Sequence, residues 1–158
     1  MKQYLLHFLE YNRTANSRLL QTILQLPQPG EAMGLFSHLI HAQDKWYNRH
    51  SKALADDRYS WQGPVFEAEV LEGEWERSTA QWISLLEASN ENDLQQDVIF
   101  TRPSDGVRMA VSLGDVVMQL NCHAVHHRAQ INKMISAQGL PVPPTDYIFT
   151  VLREYHEG

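Results

Sequence analysis

The sequence predicts an all-α protein, a four-helix bundle. Three observations carry this reading: four segments whose apolar residues recur at steps of three and four, matched segment lengths, and Pro, Gly or Asn punctuation between them. Segments of about 22 to 26 residues would each span roughly 33–39 Å at 1.5 Å per residue, lengths suited to packing side by side.

The first helix is expected over residues 3–26, where Leu5, Leu6, Leu9, Ala15, Leu19, Leu20, Ile23 and Leu24 form its apolar set and Pro27, Pro29 and Gly30 stop it. A second begins near Glu31 with Leu35, Phe36, Leu39, Ile40, Ala42, Trp46 and Tyr47, its pattern decaying around Leu54. A connection follows, punctuated by Gly63 and Pro64. The third helix is expected over residues 65–88, through Val70, Leu71, Trp75, Trp82, Ile83, Leu85 and Leu86, despite the unfavourable Gly73. The pattern then changes to two β-prone runs, 97–101 and 107–112, separated by turn chemistry from Arg102 to Gly106, which predicts a small hairpin between helices three and four. The fourth helix, 113–138, ends at Gly139 with Pro141 beyond, and a short helix is expected near residues 146–154. The two long connections suit crossovers as well as simple turns.

A chain of 158 residues, 43% of them hydrophobic, can build a core without disulfides or a structural metal, and residues 1–158 are expected to form one domain. With 13 Lys+Arg against 19 Asp+Glu the net charge is -6, which disfavours broad binding to nucleic acid or to an anionic membrane surface. Cys122 is the sole cysteine, so neither an intrachain disulfide nor a cysteine-based zinc knuckle can form. The first residues lack the apolar run of a signal peptide, and no window approaches the roughly 20 apolar residues of a membrane span. The expectation is a cytoplasmic protein with a small-molecule partner.

Histidine is the residue type that stands out. There are eight, at 7, 38, 41, 50, 123, 126, 127 and 156, and five fall in two tight clusters. In helix four an inward stripe runs through Val116, Val117, Leu120, Ala124, Ile131 and Met134, and His123 and His127 fall on it four residues apart. His126 lies on the neighbouring face with Gln119, Cys122, Ala129 and Lys133, where it is exposed or stands behind the ligands. In helix two His38 lies with Leu35, Leu39, Ala42 and Trp46, whereas His41 lies with Gly34, Ser37, Asp44 and Lys45. Two histidines at i and i+4 present both imidazoles on one side of a helix, and a third from a facing helix completes three ligands with coordination positions left open. A His-x-x-x-His pair also arises by chance, and a core histidine is more often hydrogen-bonded packing than a ligand. Two adjacent buried imidazoles without a metal would be costly, which brings the metal reading level with hydrogen-bonded packing once His38 is counted.

These residues resemble a known family. Phe36 to Trp46, with a histidine eight residues before a tryptophan, resembles the second-helix signature of the DinB/YfiT-like family. Asn121 to Ile131 resembles its fourth-helix signature, in which a histidine precedes His-His-Arg-Gly-Gln-Ile by three residues; Tyr11, Asn12, Asn16 and the tail Pro143 to Tyr147 also match. The resemblance implies a four-helix bundle in an up-down-down-up arrangement, a divalent metal, zinc or nickel, held by His38, His123 and His127, and a homodimer. It also implies activities among metal-dependent hydrolases and thiol S-transferases that use low-molecular-weight thiols. The sequence departs at Ala129, where glycine is usual, and at Cys122, where asparagine often precedes the ligand; the first hints at altered helix packing and the second at altered surroundings of His123.

Such a site would activate a thiol or a water at neutral pH. Hydrolysis also wants a general base, and no His-Glu-x-x-His motif occurs; Asp44 and Asp115 are the carboxylates nearest the ligands in sequence, with nothing to bring them to the metal. Thiol transfer needs less and is preferred. His41 and His126 are either proton shuttles or solvated side chains, Arg128 either meets an anionic substrate or makes a surface ion pair, and Trp46 and Tyr47 either line a pocket or pack in the core. Cys122 as a fourth ligand is disfavoured by the roughly 100° that separates it from His123 around the helix. The rival class is a non-enzymatic, stress-associated binding or sensor protein whose metal is structural or absent.

Overall fold

A computed structural model describes residues 1–52 and 55–156. Among the described residues the chain forms four long helices, α1 (Lys2–Ile23), α2 (Gly30–Ser51), α3 (Ala68–Ala88) and α4 (Leu113–Ala137), and a two-stranded antiparallel sheet of β1 (Asp97–Thr101) and β2 (Arg108–Ser112). No helix among them is long and apolar enough to cross a membrane. Helix α1 lies beside α3 and α4, and so does α2, leaving α1 and α2 with little mutual contact.

Helix α1 ends three residues before the expected Leu26. Pro27 disfavours helical backbone at the residue before it, and the chain tightens into short turns, with Gln25 N–H donating to Thr22 and Leu26 N–H to Ile23 at 3.1 and 3.0 Å. The fading of α2 around Leu54 lies outside the described residues; the helix ends at Ser51. Helix α3 starts at Ala68, not at Val65, because residues 64–66 are recruited to α2, where Phe66 N–H donates to Ser37 Oγ at 3.0 Å. The hairpin pairs Asp97 with Ser112 and Thr101 with Arg108, one residue shorter on its second strand than the expected 107–112. At the start of α4 Ser112 Oγ accepts from Asp115 N–H at 3.1 Å, and at its end Gly139 takes φ +82°, where a side chain would be strained. The expected helix over 146–154 is a single 3₁₀ turn, Tyr147–Thr150.

Two apolar clusters fill the interior. One gathers Leu19, Leu20, Ile23, Phe36, Leu39, Ile40, Leu71, Trp75, Ile131 and Ile135, and the other Leu5, Leu9, Trp82, Leu86, Leu94, Val98, Val116 and Val117. Between them each helix buries polar residues: Asn12 and Asn16 on α1, Gln43 on α2, Ser78 and Thr79 on α3, Asn121 and Arg128 on α4. Apolar burial on either side supplies the stability that lets this polar layer persist, and its members largely satisfy one another.

The connection from α2 to α3 folds back along α2 as a strap. Lys45 Nζ donates to the carbonyls of Asp56 and Tyr59 at 2.8 and 2.7 Å, Arg49 makes a two-bond pair with the Asp56 carboxylate, and the Phe66 amide reaches Ser37. Ser37 and Lys45 are therefore buried, although the sequence pattern put them on the polar face of this helix.

Candidate metal centre

The strap and two helices bring three histidines together. His38 comes from α2, and His123 and His127 come from successive turns of α4, all half-buried. One ring nitrogen from each can be chosen so that the three lie within 4.8 Å of one another. Ring centroids are 4.4 Å apart for His123 and His127, 5.0 Å for His38 and His123 and 4.9 Å for His38 and His127, with the ring planes steeply inclined.

Hydrogen bonds set which nitrogens face inward. His38 Nδ1 lies 2.5 Å from the Trp61 carbonyl oxygen of the strap, and since a carbonyl can only accept, the proton sits on Nδ1 and the Nε2 lone pair is free. His127 Nδ1 donates likewise to Gln130 Oε1 at 2.6 Å, one helical turn on. His123 Nε2 lies 2.9 Å from His38 Nε2, which accepts from it. Outer partners of this kind fix the tautomer and orientation of metal-binding histidines.

Burial holds His123 down to about 4, with His127, His38 and His126 adding in that order, so the ring is neutral through the physiological range. His127 is also lowered, chiefly by burial, against the opposing pull of its bond to Gln130. Three imidazoles with converging ring nitrogens and no carboxylate among them form a donor set for a divalent cation of intermediate softness. The residues present thus fit a metal.

A family model described as DinB family matches residues 1–156. The chain belongs to the DinB family. Comparison with curated proteins and with solved structures gave no match.

In this DinB-family chain the other sequence candidates stand apart from the three histidines. His41 turns to the strap, its Nε2 2.8 Å from the Pro64 carbonyl oxygen and its ring stacked on Phe66. His126 is exposed, its ring centroid 5.0 Å from that of His127. Cys122 is exposed and outside the cluster. Asp44 pairs with Arg77 at 2.6 Å and accepts from Ser78, and Asp115 accepts from Ser112 Oγ at the start of α4, so both carboxylates are engaged elsewhere. Tyr47 packs edge-on against Trp82 at the margin of the core and also lines a small cleft with Asp44, Tyr59 and Arg77, whereas Trp46 packs against Trp61 and Phe100. Ala129 is exposed, outside the buried arc of α4.

Arg128 is the main correction. It is 3% exposed, neither on a pocket rim nor in a surface ion pair. Its guanidinium donates to Asn12 Oδ1 at 3.0 Å, Asn16 Oδ1 at 2.9 Å and Tyr11 Oη at 2.6 Å, and it stacks over the Tyr11 ring. Tyr11 in turn donates to the Thr145 carbonyl, tying the C-terminal segment to this network. Helix α4 packs on both α1 and α2, so its buried arc is wider than the single stripe traced from sequence, and Asn121 and Arg128 occupy the α1 side. The matches at Tyr11, Asn12 and Asn16 were the available signal, since three polar residues of α1 need a buried partner. Beside the histidines a cleft of about 460 Å³ is lined by Glu31, Leu35, Gln130, Lys133, Met134 and Ala137, sharing Gln130 with the His127 hydrogen bond.

Proposed function

We propose that His38, His123 and His127 hold one divalent metal ion, zinc or nickel, and that the protein is a metal-dependent enzyme of thiol S-transferase type acting on a low-molecular-weight thiol. The observation that carries this reading is the convergence of three ring nitrogens within 4.8 Å, with the Nδ1 atoms of His38 and His127 both committed to outer oxygens. A divalent ion in such a site supplies Lewis acidity that lowers the pKa of a bound thiol or water. The residues of this chain set the rest. Trp61 and Gln130 orient two of the rings, and the low basicity of His123 keeps it available as a donor near neutrality. Lys133, Leu35 and Met134 provide a charged rim and apolar walls in the adjoining cleft. Thiol transfer is favoured over hydrolysis because the cluster contains no carboxylate and both sequence-near candidates, Asp44 and Asp115, are engaged by other groups.

The reading includes an up-down-down-up bundle over residues 1–158, in the cytoplasm, as a homodimer. In support of that arrangement, contacts ascend together between α2 and α3, Phe36 with Trp75 and Tyr47 with Trp82, and between α1 and α4, Asn12 with Asn121 and Asn16 with Arg128. They run oppositely between α1 and α3, Arg13 with Glu76 and Gln21 with Glu72. The homodimer is supported by the exposed Tyr4, Met118, Phe149 and Leu152 on the α1, α4 and C-terminal side.

The test is to incubate zinc- or nickel-loaded protein with a small thiol and a carbon electrophile carrying a leaving group, and in parallel with activated esters. Thiol consumption matched by leaving-group release, lost in His127→Ala, is the expected result. Ester cleavage alone would replace transfer by hydrolysis. No turnover in either assay with metal bound would favour the sensor reading.

A further inference from the structure

The strap over residues 59–66 meets the histidine cluster at the Trp61 carbonyl and is fastened to α2 at several points. Lys45, 5% exposed, donates to the Tyr59 carbonyl at 2.7 Å and the Asp56 carbonyl at 2.8 Å, and lies 3.3 Å from the Asp56 carboxylate. Ser37 Oγ accepts from the Phe66 amide, and His41 Nε2 meets the Pro64 carbonyl. Gly63 seats against the His41 imidazole so closely that a Cβ there would fall 2.5 Å from two ring atoms. On the inner side Trp61 packs against Trp46, and the Arg49 guanidinium lies over the ring 5.1 Å from its centroid.

This arrangement gives α2 two functions from one face. His38 is a turn below Ala42 and two turns below Lys45, so the helix that presents the histidine also carries the groups that hold the carbonyl orienting it. We propose that the strap is the positioning element of His38, with Lys45 and Gly63 as positioning residues that act through the Trp61 carbonyl, and that metal binding and strap docking are therefore coupled. This rests on the three-histidine metal reading. The physical basis is linkage: a hydrogen bond that holds Nδ1 protonated and the ring turned inward raises the affinity of Nε2 for a cation, and a bound cation must stabilise the docked strap by the same factor.

The experiment uses the full chain and zinc as the probe. Zinc affinity is measured by competition with a chromogenic chelator for wild type, Lys45→Met, Gly63→Ala and the ligand-removal control His127→Ala, with far-UV circular dichroism to establish folding. Backbone hydrogen exchange over residues 59–66 is followed in wild type with and without zinc. Wild type should bind one zinc, and each folded strap variant should bind one about 10–100-fold more weakly, as loss of an outer partner does elsewhere. Zinc should slow exchange of the strap amides in wild type, a readout that requires no variant to fold. Folded variants with wild-type affinity, or a strap whose exchange zinc leaves unchanged, would overturn the positioning role while leaving the metal site standing. Absence of zinc binding by wild type would overturn the metal reading and this inference with it.

Discussion

What separates His38 and His127 from the exposed His126 is the commitment of their Nδ1 atoms, to a backbone carbonyl and to a glutamine oxygen. Removing one imidazole leaves two donors and a hole, whereas removing a neighbour outside the cluster leaves the donor set whole. Elemental analysis should therefore find metal lost from His123→Ala but retained at one per chain in His126→Ala and Cys122→Ser. The three cluster histidines were legible in the sequence because i, i+4 spacing and the apolar stripe are local properties of a helix. Arg128 was not, because its surroundings depend on α1 lying alongside. Replacing Arg128 with methionine keeps the volume but leaves Asn12 Oδ1, Asn16 Oδ1 and Tyr11 Oη short of a donor. The expected cost is about 1–3 kcal/mol for each buried group left unsatisfied, read by urea denaturation.

At the scale of elements, the helices were predictable wherever their ends are marked by local chemistry. Ser112 and Asp115 begin α4 within the hairpin junction, and Gly139 closes it. Ser112→Ala should lower stability by about 1 kcal/mol, seen as a lower denaturation midpoint at unchanged slope. The strap was not legible. No periodicity marks residues 59–66, and its consequence, a buried Lys45 and Ser37 on the nominally polar side of α2, follows from hydrogen bonds between two backbone carbonyls and one amide of the connection and side chains of the preceding helix. The start of α3 moved for the same reason: the Phe66 amide donates to Ser37 of α2, and the first turn of the helix opens only at the Glu67 carbonyl.

For the whole molecule, two apolar clusters flank a buried polar layer, and the half-buried histidine cluster lies between α2 and α4. The helical periodicity of four matched segments was enough to anticipate the class of fold, but pairwise packing of helices cannot be read from a single chain. Neutral burial of His123 has a whole-molecule consequence in the metal-free state. Its folded value is about 4 against the ordinary 6.5, so the unfolded chain binds the extra proton first and stability falls as pH drops from about 6.5 to about 4. His127, also lowered by burial, acts in the same direction. Thermal denaturation of the metal-free protein across that window should show a declining Tm, a decline lessened in His123→Ala. The exposed apolar side bearing Tyr4 and Met118 should make the protein a dimer by light scattering, converted to monomer by Tyr4→Glu with Met118→Glu.

The measurement that bears most directly on the central claim is metal content by elemental analysis of untagged protein purified without a chelating column, for wild type and His127→Ala. About one zinc or nickel per wild-type chain, lost in the variant, is the predicted result. A wild-type protein without metal even after reconstitution with zinc or nickel, or a variant that keeps its metal, would contradict the three-histidine centre.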